Sequence, residues 1–94
     1  MFEFKALPNF ARQFKKLYPK EQEAVRKQLK IVTVNPAAGE MKRGTLSGVR
    51  VHKFKINSQL YLLAYETDQK AKIIYLYALA SHENFYDSLT RYLR

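Results

Sequence analysis

Residues 72–86, KIIYLYALASHENFY, decide how the rest of the chain is organised. The stretch begins with the longest apolar run of the protein, residues 73–80, which holds no charged residue, glycine or proline. Its content of isoleucine, tyrosine and leucine predicts a strand that is buried on both faces. The run is too short to span a membrane. It ends at Ser81, where a polar segment predicts the start of a helix and places His82 at the end of a central strand.

His82 has two interpretations. A side chain at the end of a rigid central strand is well placed for proton transfer, and histidine titrates close to neutral pH. Alternatively, His82 lies in the first turn of an ordinary surface helix that Ser81 caps. Tyr86 follows His82 by four residues, so a helix here would place the two side chains on one face.

The pattern of apolar residues outward from this strand predicts the element order β-α-α-β-β-β-α. Strands at residues 49–56 and 60–66 precede the central strand and form an antiparallel set with it, and residues 2–6 add a short strand at an edge. Two helices begin near Pro8 and Pro19, and residues 36–47 form a loop. The fold class is therefore a small α+β domain spanning residues 1–94, with a helical hairpin packed on an antiparallel sheet.

Several apolar residues near the first helix are expected in the core because they recur at helical spacing. These residues are Leu7, Phe10, Ala11, Phe14, Leu17 and Tyr18.

The strand at residues 49–56 does not alternate simply. Lys53 and Lys55 project from one side of it, and the apolar pair Phe54 and Ile56 projects from the other. The valines at its start fall on the lysine side. We therefore expect either a β-bulge near His52 or a strand start that is covered on both faces.

The chain is strongly basic, with 17 Lys and Arg residues against 8 Asp and Glu residues and a net charge of +9. Between residues 41 and 65 the sequence contains basic residues and no acidic one. This distribution favours a polyanionic partner, such as RNA or DNA, over a surface that is charged only for solubility.

Other function classes are disfavoured by what the sequence lacks. The absence of cysteine rules out disulfides and a thiol nucleophile, and it fits a reducing compartment. The N-terminus shows no signal-peptide pattern, so we expect a cytoplasmic protein without membrane association. No nucleotide-binding loop, nucleophile elbow or zinc-protease motif occurs. Two histidines without a nearby acid pair make a poor metal site, so we predict neither a metal nor a small-molecule cofactor.

What remains is an anion site with proton-transfer groups. The candidate catalytic residues are His82, Lys53, Lys55, Arg50 and Tyr86. The candidate RNA-binding residues are Lys42, Arg43 and His52. Such groups supply what RNA cleavage needs, namely a base for the 2′-hydroxyl, an acid for the leaving 5′-oxygen and cations for the charge on the phosphorane. Alternatively, the same basic face binds nucleic acid without cutting it.

The sequence resembles the RelE/ParE superfamily of bacterial type II toxins. The resemblance covers nearly the whole chain and lies in the element order, the L-x-G before a basic strand, the K-x-K of Lys53 and Lys55, the segment LYLLAYE and the apolar strand that ends in S-H-E-N-F-Y. It implies a RelE-like fold and a toxin that a cognate antitoxin neutralises. In RelE-like members it further implies an endoribonuclease that cuts mRNA in the ribosomal A site.

The resemblance also implies roles for single residues. Lys53 and Lys55 match strand lysines that abstract a proton and stabilise the phosphate. His82 matches a histidine at the end of the last strand in related ribonucleases, and it would act as general acid or base. Tyr86 matches an aromatic residue that stacks on a base or assists proton transfer. His52 is a second candidate for proton transfer.

The chain departs from the RelE-like pattern at Leu62 and Glu83, where RelE-like chains often have arginine. Arg50 or Arg43 would then have to stabilise the phosphorane. The departure leaves room for a ParE-like protein that inhibits DNA gyrase by binding, or for a binding module without catalytic activity. In each case we expect an acidic, partly disordered antitoxin as partner, which covers the basic face or displaces the final helix.

Overall fold

The computed structural model of the chain describes residues 2–42 and 48–81. The elements run in the order β1 (Glu3–Ala6), α1 (Pro8–Lys15), α2 (Pro19–Val34), a 3₁₀ helix (Pro36–Ala38), β2 (Glu40–Met41), β3 (Arg50–Ile56), β4 (Gln59–Asp68) and β5 (Ile73–Ser81). The predicted final helix lies outside the described residues, and so do the site residues Arg43, His82 and Tyr86.

The strands form one five-stranded sheet in the order β1-β5-β4-β3-β2. Strands β3, β4 and β5 make an antiparallel meander, while β1 joins the β5 edge in parallel orientation. The predicted fold class, two helices on a mostly antiparallel sheet, is confirmed. The segment predicted as a loop between α2 and β3 also contains the 3₁₀ helix and β2. Only two residues of β2 pair with β3, which is too few to leave a periodic signal in the sequence.

Both helices begin with proline, whose missing N–H is not needed in a first turn. At the start of α2, the Glu21 carboxylate accepts a hydrogen bond of 2.9 Å from the backbone N–H of Tyr18. The prediction that Tyr18 lies in the core is wrong, since its side chain is 77% exposed. The reason is that α1 ends at Lys15, so Tyr18 becomes the N-cap of α2 instead of continuing the apolar stripe.

The main core lies between the two helices and one face of the sheet, which we call the helix-side face. Its buried members are Phe10, Val25, Leu29, Val32, Phe54, Ile56, Tyr61, Leu63, Tyr65, Ile74, Leu76 and Leu79. The helices therefore cover the even positions of β3 and the odd positions of β4, as strand periodicity requires.

A smaller apolar cluster lies on the opposite face, which we call the lysine face because it carries Lys53 and Lys55. Its buried members are Val49, Val51, Leu62, Ala64 and Ala78. The register between β3 and β4 is unbroken, so there is no bulge near His52. Instead, the start of β3 is covered on both faces, which was the second of the two expectations.

The one register shift in the described sheet lies between β4 and β5, at the pairs of Ala64 and Tyr65. It leaves Tyr77 as an extra residue on β5, so that Tyr77 and Ala78 both contact the lysine-face cluster. Tyr75 and Tyr77 stay partly exposed. The prediction that β5 is buried on both faces therefore holds only for part of the strand.

Helix α1 covers the outer edge of β5 beyond the end of β1. Asn9 donates a hydrogen bond of 3.2 Å to the carbonyl of Tyr77, and the Gln13 side chain accepts one of 2.7 Å from the N–H of Leu79. These two amide side chains satisfy backbone groups that no neighbouring strand reaches. They hold the end of β5 against the helical layer.

Candidate functional site

The central feature of the candidate site is the pair Lys53 and Lys55 on β3. Both side chains are exposed, and neither forms an ion pair with another residue in the part of the chain that the structure describes. Their cross-strand partners on β4 are Leu62 and Leu60, so no acid faces them from that strand. Within residues 2–42 and 48–81, the lysine face therefore presents two ammonium groups that form no ion pair.

Arg50 and His52 point to the other face of the sheet. The Arg50 guanidinium donates a hydrogen bond of 2.8 Å to the carbonyl of Gly39. His52 Nε2 lies 2.8 Å from Gln28 Oε1 on α2, and the ring stacks on Phe54 at 5.8 Å. Partial burial lowers the pKa of His52, which favours the neutral ring. The structure thus does not bring these two residues together with the lysines, because alternation along β3 separates them.

Arg50 belongs to a network around the buried Tyr65. The Tyr65 hydroxyl donates to the carbonyl of Pro36 at 2.7 Å and accepts from the N–H of Gly39 at 2.8 Å. Burial raises the pKa of Tyr65, and the nearby Arg50 charge partly offsets this rise. Sequence reasoning missed this network because Tyr65 is one of several apolar residues in its strand and Gly39 lies in a loop.

Lys42, a predicted RNA-binding residue, follows β2. Its ammonium lies 3.5 Å from the Glu40 carboxylate, and its side chain is only 20% exposed. Its backbone N–H donates to the carbonyl of Val49. Lys42 thus lies close to the start of β3, with part of its charge balanced by Glu40.

The charge of the lysine face differs between its two ends. At the end away from the lysines, Glu66 accepts a hydrogen bond of 3.0 Å from the Tyr77 hydroxyl. Glu66 and Asp68 line a cleft of about 410 Å³ together with Tyr75 and Tyr77. A rise of about 3.4 Å per residue places this acidic end roughly 20 Å from Lys55. The lysine end therefore attracts a polyanion more strongly than the end with Glu66 and Asp68, where Lys70 lines the same cleft.

The described residues offer little for metal or membrane chemistry. No group of three or more histidine, aspartate or glutamate side chains is arranged to hold a metal ion there. Within the same residues, neither helix has the length and apolar character needed to cross a bilayer. Among the described residues, Lys53 and Lys55 give the lysine face two exposed ammonium groups, a type of group that can bind a phosphodiester.

Comparison with known proteins shows which family the chain is similar to. A model described as "ParE-like toxin of type II bacterial toxin-antitoxin system" matches residues 4–90. No curated protein sequence is significantly similar to the chain. The match to the family model confirms the resemblance that the sequence motifs indicated.

Solved structures share the fold at low sequence identity. The toxin-antitoxin complex RelBE2 from Mycobacterium tuberculosis contains a chain that matches with a TM-score of 0.76 and 18% identity, covering 86% of this chain and 98% of that one. A chain of the intact E. coli RelBE complex gives 0.71 and 18%, covering 88% and 99%. The isolated E. coli RelE toxin gives 0.69 and 19%, covering 97% and 98%.

Proposed function

The chain belongs to the ParE-like toxins of type II bacterial toxin-antitoxin systems, and from this premise we propose that it is an endoribonuclease that cleaves mRNA in the ribosome without a metal ion. Its place of action is the cytoplasm, and a cognate antitoxin neutralises it. The antitoxin is suggested by the RelBE complexes among the structural neighbours.

The observation that supports ribonuclease activity is the exposed position of Lys53 and Lys55 on one face of β3, where neither forms an ion pair with a residue that the structure describes. In the proposed reaction the 2′-hydroxyl of the RNA attacks the adjacent phosphate and the bond to the 5′-oxygen breaks. One lysine accepts the hydroxyl proton, while the other stabilises the charge on the phosphorane. His82 protonates the leaving oxygen, and Tyr86 stacks on a base.

Arg50 and His52 take no part in the proposed cleavage reaction. Both side chains lie on the helix-side face, where Arg50 binds the Gly39 carbonyl and His52 binds Gln28. The sheet itself separates them from a substrate on the lysine face. Lys42, which lies close to the start of β3, and Arg43 remain proposed contacts to RNA phosphates.

A gyrase inhibitor that acts by binding is the second candidate. It is favoured by Leu62, which is fully buried opposite Lys53 where RelE-like chains often carry arginine. If that arginine is essential for cleavage, the same basic face would only bind its target.

Primer extension on a translated mRNA, with purified protein and with or without ribosomes, tests the proposal. We expect cuts at codon-phased positions only when ribosomes are present. In Lys53→Ala/Lys55→Ala the cleavage rate should fall by at least about a hundredfold, because both the base and a phosphate ligand are lost. The matched control is Lys27→Ala/Lys30→Ala, which removes the same charge from the exposed side of α2 and should cleave normally.

A supercoiling assay with DNA gyrase runs beside the cleavage assay. Intact mRNA together with inhibited supercoiling would replace the ribonuclease proposal by the gyrase one. Intact mRNA with normal supercoiling would leave a module that only binds nucleic acid or a partner. Cleavage that survives in the double lysine variant would show that the lysine face is not the reactive site.

A further inference from the structure

Strand β1 forms one outer edge of the sheet. Within the described residues β5 is its only neighbouring strand, and all four residues of β1 are exposed. The Phe4 side chain is 50% exposed and lies on the helix-side face, where it lines a cleft of about 690 Å³ with Thr33 and Val34 of α2. Val34 is itself exposed. An unpaired strand beside exposed apolar side chains is typical of a surface that binds another chain.

The parallel pairing with β5 determines which backbone groups of β1 point outward. The N–H of Glu3 donates to the carbonyl of Lys72 at 3.0 Å, and the N–H of Leu7 donates to the carbonyl of Leu76 at 3.1 Å. Backbone groups of successive residues in a strand point to opposite sides, so the odd-numbered residues of β1 bind β5. The backbone groups of the even-numbered residues therefore point to the open side.

Most of these outward backbone groups are available. The N–H of Phe2 is already bound to the carbonyl of Thr33 at 3.2 Å, which leaves the carbonyl of Phe2. No strand of the described residues pairs with the outward N–H and C=O groups of Phe4 and Ala6. A strand of another chain can therefore form main-chain hydrogen bonds along this edge.

The side chains of β1 are complementary to a second copy of the same strand in one antiparallel register. In this register Phe4 faces Phe4 of the second copy, and the two residues exchange both backbone hydrogen bonds. The N–H of Ala6 reaches the free carbonyl of Phe2 in the other copy. Glu3 and Lys5 face each other as the non-hydrogen-bonded pairs between them, where opposite side chains lie closest. Neither Glu3 nor Lys5 forms an ion pair within the described residues of its own chain.

Other antiparallel registers of the two strands are unfavourable. A shift by two residues in one direction places Glu3 opposite Glu3, and the same shift in the other direction places Lys5 opposite Lys5. A shift by one residue sets outward backbone groups of one copy against inward groups of the other, so hydrogen bonds cannot form. Charge and backbone direction therefore select the same register. The two-fold symmetry of such a pair repeats each contact.

We propose that two copies of the chain associate through their β1 strands into a symmetric dimer with one continuous sheet. Backbone hydrogen bonds align the strands, the pairs of Glu3 and Lys5 determine the register, and contact between the Phe4 side chains removes apolar surface from water. Lys53 and Lys55 lie on β3, which β5 and β4 separate from β1, so the dimer leaves them uncovered. The dimer therefore does not depend on what the lysine face binds.

Sedimentation velocity with the purified chain tests the dimer. Because a short strand and one aromatic pair bury little surface, the interface belongs to the weak class, and protein concentrations from about 10 μM to about 1 mM are needed. Salt at about 0.15 M screens the repulsion between two chains that each carry a net charge of +9. We expect the sedimentation coefficient to rise from the value of a monomer to that of a dimer over this range.

Charge variants of Glu3 and Lys5 identify the register. Glu3→Lys places a lysine opposite Lys5 twice, and Lys5→Glu places a glutamate opposite Glu3 twice, so each variant alone should dimerise at least about tenfold more weakly. An equimolar mixture of the two variants restores both opposite-charge pairs and should form a heterodimer. The combined variant Glu3→Lys/Lys5→Glu should regain dimerisation on its own.

Two matched controls carry the same changes of net charge far from β1. Glu40→Lys lies on β2 at the opposite edge of the sheet, and Lys20→Glu lies in the first turn of α2. Both side chains are exposed. Each control should dimerise like the unchanged protein, which separates the paired contacts from the effect of net charge.

Amide hydrogen exchange followed by NMR shows which backbone groups the dimer covers. Between dilute and concentrated samples, exchange of the Phe4 and Ala6 amides should slow by about tenfold or more. The amides of Glu3 and Lys5 already point toward β5, so their exchange should stay unchanged.

The proposal is overturned if the chain stays monomeric up to about 1 mM, if Glu3→Lys or Lys5→Glu alone dimerises as well as the unchanged protein, or if their mixture forms no heterodimer. A dimer in which the Phe4 and Ala6 amides exchange as they do in the monomer would also overturn it, because another surface would then mediate the association. The samples contain neither RNA nor ribosomes, so these results are independent of those of the cleavage assay.

Discussion

The two faces of the sheet use their polar residues in opposite ways. On the helix-side face, Arg50, His52 and Tyr65 each bind a group of the protein itself. On the lysine face, Lys53 and Lys55 are exposed and have no ion pair in the described structure. The first set holds the loop before β2 and helix α2 against the sheet, and the second is available to a ligand.

Basic residues that are close together in one strand have different roles here. Four basic residues lie within residues 50–55, and alternation along the strand places two of them on each face. These residues are Arg50 and His52 on the helix-side face and Lys53 and Lys55 on the lysine face. Net charge alone suggests one cluster of four. The structure instead shows two pairs, so variants of the helix-side pair should affect stability while variants of the lysine pair should affect binding or cleavage.

The largest effect on stability is expected from Gly39→Ala. A Cβ at this position would lie 2.7 Å from the Tyr65 hydroxyl and 2.9 Å from its ring. The backbone angles of Gly39 suit alanine, so the cost is steric, and the buried ring has no room to move. We expect a loss of about 1–3 kcal/mol in the free energy of unfolding, measured by urea denaturation.

Tyr65→Phe is the companion to that variant. It removes the hydroxyl that binds Gly39 and Pro36, and a similar or smaller loss of about 1–2 kcal/mol follows from the unpaired backbone groups. In the double variant Gly39→Ala/Tyr65→Phe, the hydroxyl that would lie closest to the new Cβ is absent. The double variant should therefore lose less stability than the sum of the losses in the two single variants. Additive losses would show that the two residues are not coupled.

Thr67→Val should increase stability. The Thr67 hydroxyl is buried and has no hydrogen-bond partner among the residues that the structure describes. Valine keeps the shape and the β-branch while removing the unsatisfied group, so a gain of about 1 kcal/mol is expected. Thr67→Ala, which leaves a void, is the control. A loss of stability in the valine variant would mean that the hydroxyl is hydrogen-bonded.

His52 should make the helix-side face sensitive to acid. Its pKa in the folded protein is lowered by burial, so the unfolded chain binds the proton more readily. The contribution of neutral His52 is therefore present at neutral pH and lost as the pH falls from about 7 to about 5. When the pH is lowered across this range, the midpoint temperature of thermal unfolding should decrease less for His52→Gln than for the unchanged protein. Identical decreases in both proteins would contradict this assignment.

The smallest effect on stability is expected on the lysine face. Lys53→Ala/Lys55→Ala removes two exposed ammonium groups that form no ion pair in the described residues, so the free energy of unfolding should change by no more than about 0.5 kcal/mol. Urea denaturation at low and moderate salt measures this change. A large loss would show that the lysines support the fold, and any loss of RNA cleavage in this variant would then need a stability correction.

Much of the fold could be predicted from the sequence. The apolar run before Ser81 predicted β5, and the prolines at positions 8 and 19 predicted the helix starts, because these signals are local. The extent of α1 could not be predicted from spacing alone. Leu17 and Tyr18 continue the helical pattern, but α1 ends at Lys15. The Gln22 side chain of α2 donates to the carbonyl of Phe14 in the last turn and to that of Leu17 just beyond it.

The candidate site was predicted only in part. Alternation along a strand was enough to place Lys53 and Lys55 on one side. Arg50 and His52 were predicted to share one anion site with the lysines, although the same alternation places them on the other face, and nothing in the sequence showed what they bind. Their partners Gly39 and Gln28 are 11 and 24 residues away in the chain. The roles predicted for His82 and Tyr86 concern residues outside the described structure and stay predictions.

The sequence by itself determined the order of the elements from β1 to β5, apart from the 3₁₀ helix and β2, together with the excess of positive charge and the common side of the two lysines. All three follow from periodicity and composition within short segments. Only the tertiary structure decided that Tyr65 anchors the loop before β2, that Arg50 and His52 support the fold, and that β1 joins β5 in parallel orientation. These features depend on contacts between distant segments, and such contacts exist only once the helices have packed on the sheet.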